Sequence, residues 1–140
     1  MADSKKKGND ISRLQAEARE RLKELAAINQ TTQILTEGKS IEETLSRIVD
    51  ILPPAWQYPE YTASRITFGE LEFTSRNFMP TSWVQKQAFE TIDGIKGTME
   101  VYYLREFPEL DEGPFMNEER HLINNLTAQI AGYLNSVKGK

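Results

Sequence analysis

The stretch from Asp10 to Thr36 constrains this chain more than any other. It contains no proline and no glycine and is rich in Ala, Leu, Glu, Arg, Lys and Gln, the residues that lose least on entering a helix. With Ile11 placed at heptad position a, the a positions are Ile11, Ala18, Leu25 and Thr32, and the d positions are Leu14, Arg21, Ile28 and Leu35. Six of these eight are apolar. Spacings of three and four sustained over nearly four heptads are what a coiled-coil seam requires. Arg21 and Thr32 weaken the seam, and a slight rotation lets Leu22 stand in for Arg21. Arg13, Glu17, Arg19, Glu20 and Glu24 flank the stripe and keep it narrow. The pattern predicts a dimerisation helix over residues 10–37, with Ile11, Leu14, Leu25, Ile28 and Leu35 in the seam. The alternative is one amphipathic helix lying on its own domain.

At 140 residues the chain has the length of one domain. Its net charge is −4. Up to Gly38, seven basic residues face six acidic ones, so that segment is +1 and the remainder carries −5. An acidic body argues against nucleic-acid or anionic-membrane partners, which call for a surplus of Lys and Arg. No apolar run approaches the roughly 20 residues of a membrane helix. Residues 1–9 include Lys5, Lys6 and Lys7 without an apolar segment behind them, so they read as a disordered basic tail and not as a secretory signal. There is no cysteine. Disulfides, thiolate metal sites and cysteine nucleophiles are therefore excluded, and a cytoplasmic location is expected.

Beyond the first helix the punctuation is clear. Gly38 ends it, and Ser40-Ile41-Glu42-Glu43 forms a capping box for a second helix. That helix places Ile41, Leu45, Ile48, Val49 and Leu52 on one face, and Pro53-Pro54 stops it. The period then changes. Ala63–Phe68 and Leu71–Ser75 alternate around Gly69-Glu70, which predicts a tight hairpin. Asn77 to Ser82 reads as a turn. Trp83–Ile92 and Thr98–Leu104 form a second hairpin, with Met99, Val101 and Tyr103 on one face. After a loop over residues 107–114, Asn117 is expected to cap a last helix whose apolar face is Leu122, Ile123, Leu126, Ile130, Tyr133, Leu134 and Val137. The expected fold is α+β: an antiparallel sheet of about four or more strands flanked by N- and C-terminal helices, with a long coiled-coil helix leading.

Three pieces of the body, in this order, resemble a known family. The capped helix Ile41 to Leu52, running into Pro53-Pro54-Ala55-Trp56, resembles the leading helix of the small GAF variant found beside PAS domains and histidine kinases. Asp93-Gly94 with Gly97, Met99 and Val101 resembles its central hairpin. Phe115, Glu118-Glu119, Leu122-Ile123, Leu126 and Gln129-Ile130-Ala131 resemble its closing helix. The resemblance covers about residues 25–137 and makes 38–137 a GAF-like domain. It implies a non-catalytic sensory or regulatory module of a bacterial- or archaeal-type signalling protein, such as a two-component system. Such domains dimerise through their first and last helices, which adds Ile130 and Leu134 to the expected interface. A histidine kinase or other output domain is the implied partner, since the last helix reaches almost to Lys140. The family's ligand-roofing insertion is reduced here to Arg76–Ser82, and no cysteine is present for a covalent tetrapyrrole.

Motifs for chemistry are sparse. His121 is the sole histidine, and no nucleophile elbow or glycine-rich phosphate loop accompanies it. Glu106, Glu109, Asp111, Glu112, Glu118 and Glu119 lack the spacing of a calcium loop and read as a solvated loop and helix start. No catalytic residue, metal ligand or cofactor is expected. Trp56, Tyr58, Tyr61, Phe78 and Trp83 either plug the core or line a small-molecule cleft. If a ligand is bound, Trp56 and Trp83 are the expected walls, and Arg65 and Arg76 the bidentate donors to an anion.

Overall fold

In the computed structural model, the described residues are 2–138, with side chains described for 11–137. The order is α1 (Ala2–Leu35), α2 (Ile41–Ile51), two short 3-10 turns (Pro53–Ala55 and Pro59–Tyr61), β1 (Thr62–Phe68), β2 (Leu71–Thr74), β3 (Val84–Glu90), β4 (Lys96–Tyr103) and α3 (Asn117–Lys138). Helix α1 is drawn continuously from Ala2, through the stretch expected to be a tail. The Ala and Lys residues there are good helix formers, and their side chains lie outside the described residues.

The local signals act as their chemistry requires. Gly38 sits at φ 73°, a conformation that costs an L side chain energy but costs glycine little. The Ser40 hydroxyl accepts the Glu43 N–H at 3.1 Å, which satisfies one orphan donor at the start of α2. Gly69, at φ 60°, makes the two-residue link of the first hairpin. At α3 the cap differs from expectation. Asn117 is the first helical residue, and its N–H donates to Asp111 Oδ2 at 3.0 Å. The carboxylate of Glu119 reaches back to the Met116 N–H at 2.9 Å. The back-reaching acid of this capping box is therefore Glu119, at the third helical position.

The four strands form one antiparallel sheet in the order β2-β1-β4-β3. Ile66 faces Phe73 on one side and Met99 on the other, and Gln85 faces Val101. This register puts Ser64, Ile66, Phe68, Gln85, Phe89, Met99, Val101 and Tyr103 on one face. Helix α2 covers the β1–β2 half of that face and α3 the β3–β4 half, while α1 packs on the two helices from outside. The core between these layers holds Leu45, Ile48, Leu52, Trp56, Phe115, Leu122, Ile123, Leu126, Ile130 and Leu134, each buried. Full burial of one such side chain contributes about 1.5–3 kcal/mol relative to exposure.

Ile130 and Leu134 therefore belong to the chain's own core and are not free to pair with a second copy. Ile28 and Leu35 are half-buried against the same core. The seam expected along the whole of α1 thus divides. From Ala27 onward the helix packs on its own domain through Ala27, Thr31 and Ile34. From Ile11 to Arg19 every side chain is exposed.

Gly97 makes the closest approach in the sheet. A β-carbon added there would lie 2.4 Å from Phe89 Cζ and 2.5 Å from the Thr67 carbonyl oxygen. The Phe89 ring covers the glycine in place of a side chain, so the β3–β4 pairing depends on its smallness. Gly97→Ala is expected to lower stability by about 1–3 kcal/mol, the usual cost of overpacking. The shift of the urea unfolding midpoint measures it, and a midpoint equal to wild type would contradict the packing described.

Candidate functional site

Three features stand apart from ordinary core packing: a charged network on the outer face of the sheet, a buried carboxylate at the start of α3, and an exposed apolar stripe on α1.

The outer face carries Ala63, Arg65 and Thr67 from β1, Thr98, Glu100 and Tyr102 from β4, and Lys86, Ala88 and Glu90 from β3. Arg65 and Glu100 are directly opposite one another. Arg65 Nη2 lies 2.7 Å and Nε 3.1 Å from Glu100 Oε1. The Tyr102 hydroxyl donates to the same oxygen, and the Thr98 hydroxyl to Oε2 at 2.8 Å. Burial pushes the Glu100 carboxyl up, but hydrogen bonds from Arg65, Tyr102 and Thr98 together outweigh it and hold the group below its ordinary range. Burial, with Glu100 alongside, pushes the Tyr102 phenol up to about 12. Glu72 takes a further bond from Arg65 at 3.3 Å, and the Phe78 ring lies 5.3 Å from the guanidinium. Arg65, expected to grip an anion, is committed to two carboxylates of its own chain. Beside this network the sheet face forms an open trough of about 530 Å³, lined by Thr67, Ala88, Glu90, Lys96 and Thr98 among others.

The other expected ligand residues are scattered. Trp56 is fully buried, and its indole N–H donates to Gln85 Oε1 at 3.0 Å, so it is a core residue and not a ligand wall. Arg76 is exposed in the turn after β2. Trp83 is half-buried and lines a small cavity against the segment from Glu106 to Phe115, away from the trough. The fold therefore does not assemble Arg65, Arg76, Trp56 and Trp83 into one site. His121 is exposed on α3. Among the described residues, no His, Asp or Glu group is placed to hold a metal ion, and no helix is long and apolar enough to cross a membrane.

Glu119 is the residue that sequence reasoning missed. It is only 4% exposed. Its carboxylate accepts the Gln57 N–H at 2.9 Å, the Gln57 side-chain amide at 3.2 Å, the Met116 N–H at 2.9 Å and the Tyr103 hydroxyl at 3.2 Å. Burial pushes the carboxyl up to about 7 against the pull of these donors, and burial also pushes the Tyr103 phenol up. The one local signal is an acid at the third position of a helix. Nothing in the spacing shows that β4 and the loop after α2 close over it.

The stripe on α1 is apolar and solvent-facing. Leu22 is 67% exposed, Leu14 59%, Ile11 55% and Leu25 49%. At 3.6 residues per turn these side chains, with Ala18, fall within an arc of roughly 80° on the side of α1 away from Ala27, Thr31 and Ile34. Leu22 joins the stripe and Arg21 stands beside it, as a slight rotation of the seam requires.

The Glu119 carboxyl has a measurable consequence. Its folded pKa lies above the ordinary 4.5, so the folded chain holds more protons than the unfolded one between these values. Its stabilising contribution is complete below pH 4.5 and is lost as pH rises through about 7. Stability is expected to fall over that window by on the order of 3 kcal/mol, at 1.36 kcal/mol per pKa unit. Glu100 and Glu112, held below their ordinary range, contribute in the opposite sense, with stability that is lost as pH falls below the ordinary carboxylate range. Urea unfolding at several pH values checks this, and Glu119→Gln is expected to flatten the dependence. A wild type with constant stability across the window would refute it. No family model matches this chain, and neither a curated protein nor a solved structure matches it.

Proposed function

We propose that this chain is a non-catalytic, GAF-like sensory or regulatory module that pairs with a second copy through α1 and relays changes along its helices. The observation that carries this reading is the apolar stripe of Ile11, Leu14, Ala18, Leu22 and Leu25, which the domain itself leaves uncovered. At 1.5 Å per residue the stripe runs for about 21 Å. Its spacings of three and four suit an identical helix, because a twofold pairing sets the same apolar stripe against itself. Downstream, α1 lies against α2 and α3, and the Thr32 hydroxyl donates to Gln129 of α3 at 2.9 Å. A rotation of the paired helices therefore has a route into the helices on the sheet. The GAF-like part of the reading is supported by the element order and by β1 and β4 at the centre of the sheet, and the short segment between β2 and β3 is where the chain departs from that family. The most perturbed groups, Glu119 and Tyr103, bond one another in the interior and not in a cleft, which favours a regulatory role over an enzymatic one. A kinase or other output domain is the class of partner this reading implies, in a cytoplasmic signalling system.

A second reading is a receptor whose ligand lies on the sheet, and the trough beside Thr67 and Thr98 favours it. It differs from the first in predicting saturable ligand binding by a monomer.

Sedimentation of the wild type and of Leu25→Asp separates these readings. The wild type is expected to be a dimer. Leu25→Asp, which places a carboxylate in the seam of each copy, is expected to weaken pairing about thirtyfold or more, since each buried unpaired polar group costs roughly 1–3 kcal/mol. Leu25 is half-exposed within its own chain, so the helical signal of the variant should stay unchanged. A monomeric wild type would overturn the proposal.

A further inference from the structure

Strand β3 closes one edge of the sheet, and among the described residues only β4 pairs with it. The Trp83 carbonyl accepts the Tyr103 N–H at 2.9 Å, and the Thr91 N–H donates to the Ile95 carbonyl at 2.9 Å. Such bonds alternate along an antiparallel ladder. Gln85, Gln87 and Phe89 therefore turn their backbone groups to β4, and Lys86, Ala88 and Glu90 turn theirs to the open edge. The Ala88 carbonyl accepts the Gln87 side-chain amide at 3.0 Å and keeps a second lone pair. No other bond to these outward groups is present among the described residues. A row of open donors and acceptors is a template for another strand.

The side chains along this edge are self-complementary. Lys86, Ala88 and Glu90 are exposed on the outer face, and neither charge is in an ion pair among the described residues. Two copies of β3 running antiparallel about Ala88 set Lys86 of each against Glu90 of the other. Both pairs fall where the outward backbone groups of the two copies meet. The same register carries Ile92, 89% exposed just past the strand, to Val84 of the second copy. A slip of two residues sets each charge against an apolar side chain. A slip of four sets Lys86 against Lys86 in one direction and Glu90 against Glu90 in the other. Charges that repel other registers thus select this one. On the helix side, Arg120 donates to Gln87, and Asn135 accepts the Ile92 N–H. The flank of α3 between these two anchors carries Asn124, Ala128 and Ala131, all five residues falling within an arc of roughly 80°. These short side chains permit a second α3 to lie beside the first.

We propose that β3 is a second self-association surface, on which another copy of this chain adds its own β3 antiparallel with Ala88 on the twofold axis. The four-stranded sheet becomes a continuous sheet of eight. No residue of α1 takes part. So few residue pairs bury much less than a standard interface, so the contact is weak, and copies paired through α1 join through it as concentration rises.

The test is sedimentation equilibrium over a rising concentration series, on the wild type and on the Leu25→Asp chain, which isolates β3 from α1. Leu25→Asp is expected to pass from monomer to dimer as concentration rises. Adding Lys86→Glu or Glu90→Lys alone should weaken that step about tenfold or more, since each dimer then holds two like-charge pairs. Mixing the two single-charge variants should restore association, because every pair is again of opposite sign. Lys86→Glu combined with Glu90→Lys in one chain should restore it as well. Both side chains are exposed, so these changes leave the core intact. Amide hydrogen exchange is expected to slow with concentration at Lys86, Ala88 and Glu90. Association indifferent to these substitutions, no recovery on mixing, or a Leu25→Asp chain that stays monomeric throughout would each overturn the proposal. A wild type with the same concentration dependence as Leu25→Asp would overturn the α1 pairing and support this one.

Discussion

Helix α3, strand β4 and the turn after α2 meet at one buried carboxylate. Glu119 receives donors from Gln57, Met116 and Tyr103, so three separate parts of the chain are fixed by bonds to two oxygen atoms. A buried acid is costly unless its lone pairs are filled, and here backbone amides supply part of the filling. The start of α3 is thereby set against the sheet. Its position places Leu122, Ile123, Leu126, Ile130 and Leu134 in the core, and with α2 it makes the surface on which α1 rests. The neighbouring bonds continue the same junction. Trp56 donates to Gln85, and Arg120 joins Glu112 to Gln87 of β3.

The two faces of the sheet are buried by different physics. The helix side is closed by aliphatic and aromatic packing. The outer side is closed at Glu100 by charge pairing and by aromatic contacts, with Phe78 edge-on to Tyr102 at 5.4 Å. Arg65 therefore serves the sheet before it can serve any ligand. The same division accounts for the trough: beyond Thr98 the outer face has no such cover. Helix α1 is divided in a comparable way, one half meeting its own domain and the other presenting leucines to solvent.

Much of the architecture was legible in local chemistry. Ser40 as a cap, Pro53-Pro54 as a stop and Gly69-Glu70 as a hairpin link act within a few residues of themselves, so the sequence shows them directly. The alternation of Met99, Val101 and Tyr103 is likewise a property of one strand. The candidate sites were much less legible. Arg65 looked like a free donor because its partner Glu100 is 35 residues away. Trp56 looked like a cleft wall because its partner Gln85 is 29 residues away, on β3. The acids of residues 106–119 looked alike, although folding buries Glu119, pairs Glu112 and leaves Glu106 and Glu109 exposed.

The sequence by itself determined the order of helices and strands and the breaks at Gly38, Pro53-Pro54 and Gly69-Glu70, because caps, turns and periodicity are short-range and their energies are local. It also determined that α1 carries an apolar stripe. Only the tertiary structure decided which part of that stripe is spent on the chain's own core. Ile28 and Leu35 are claimed by that core and Ile11, Leu14 and Leu25 are not, because an ideal helix turns away from a strict heptad by about 20° per repeat and the domain covers only one side of it. Which charges remain uncompensated was decided there too, since pairing depends on contacts between residues far apart in the chain.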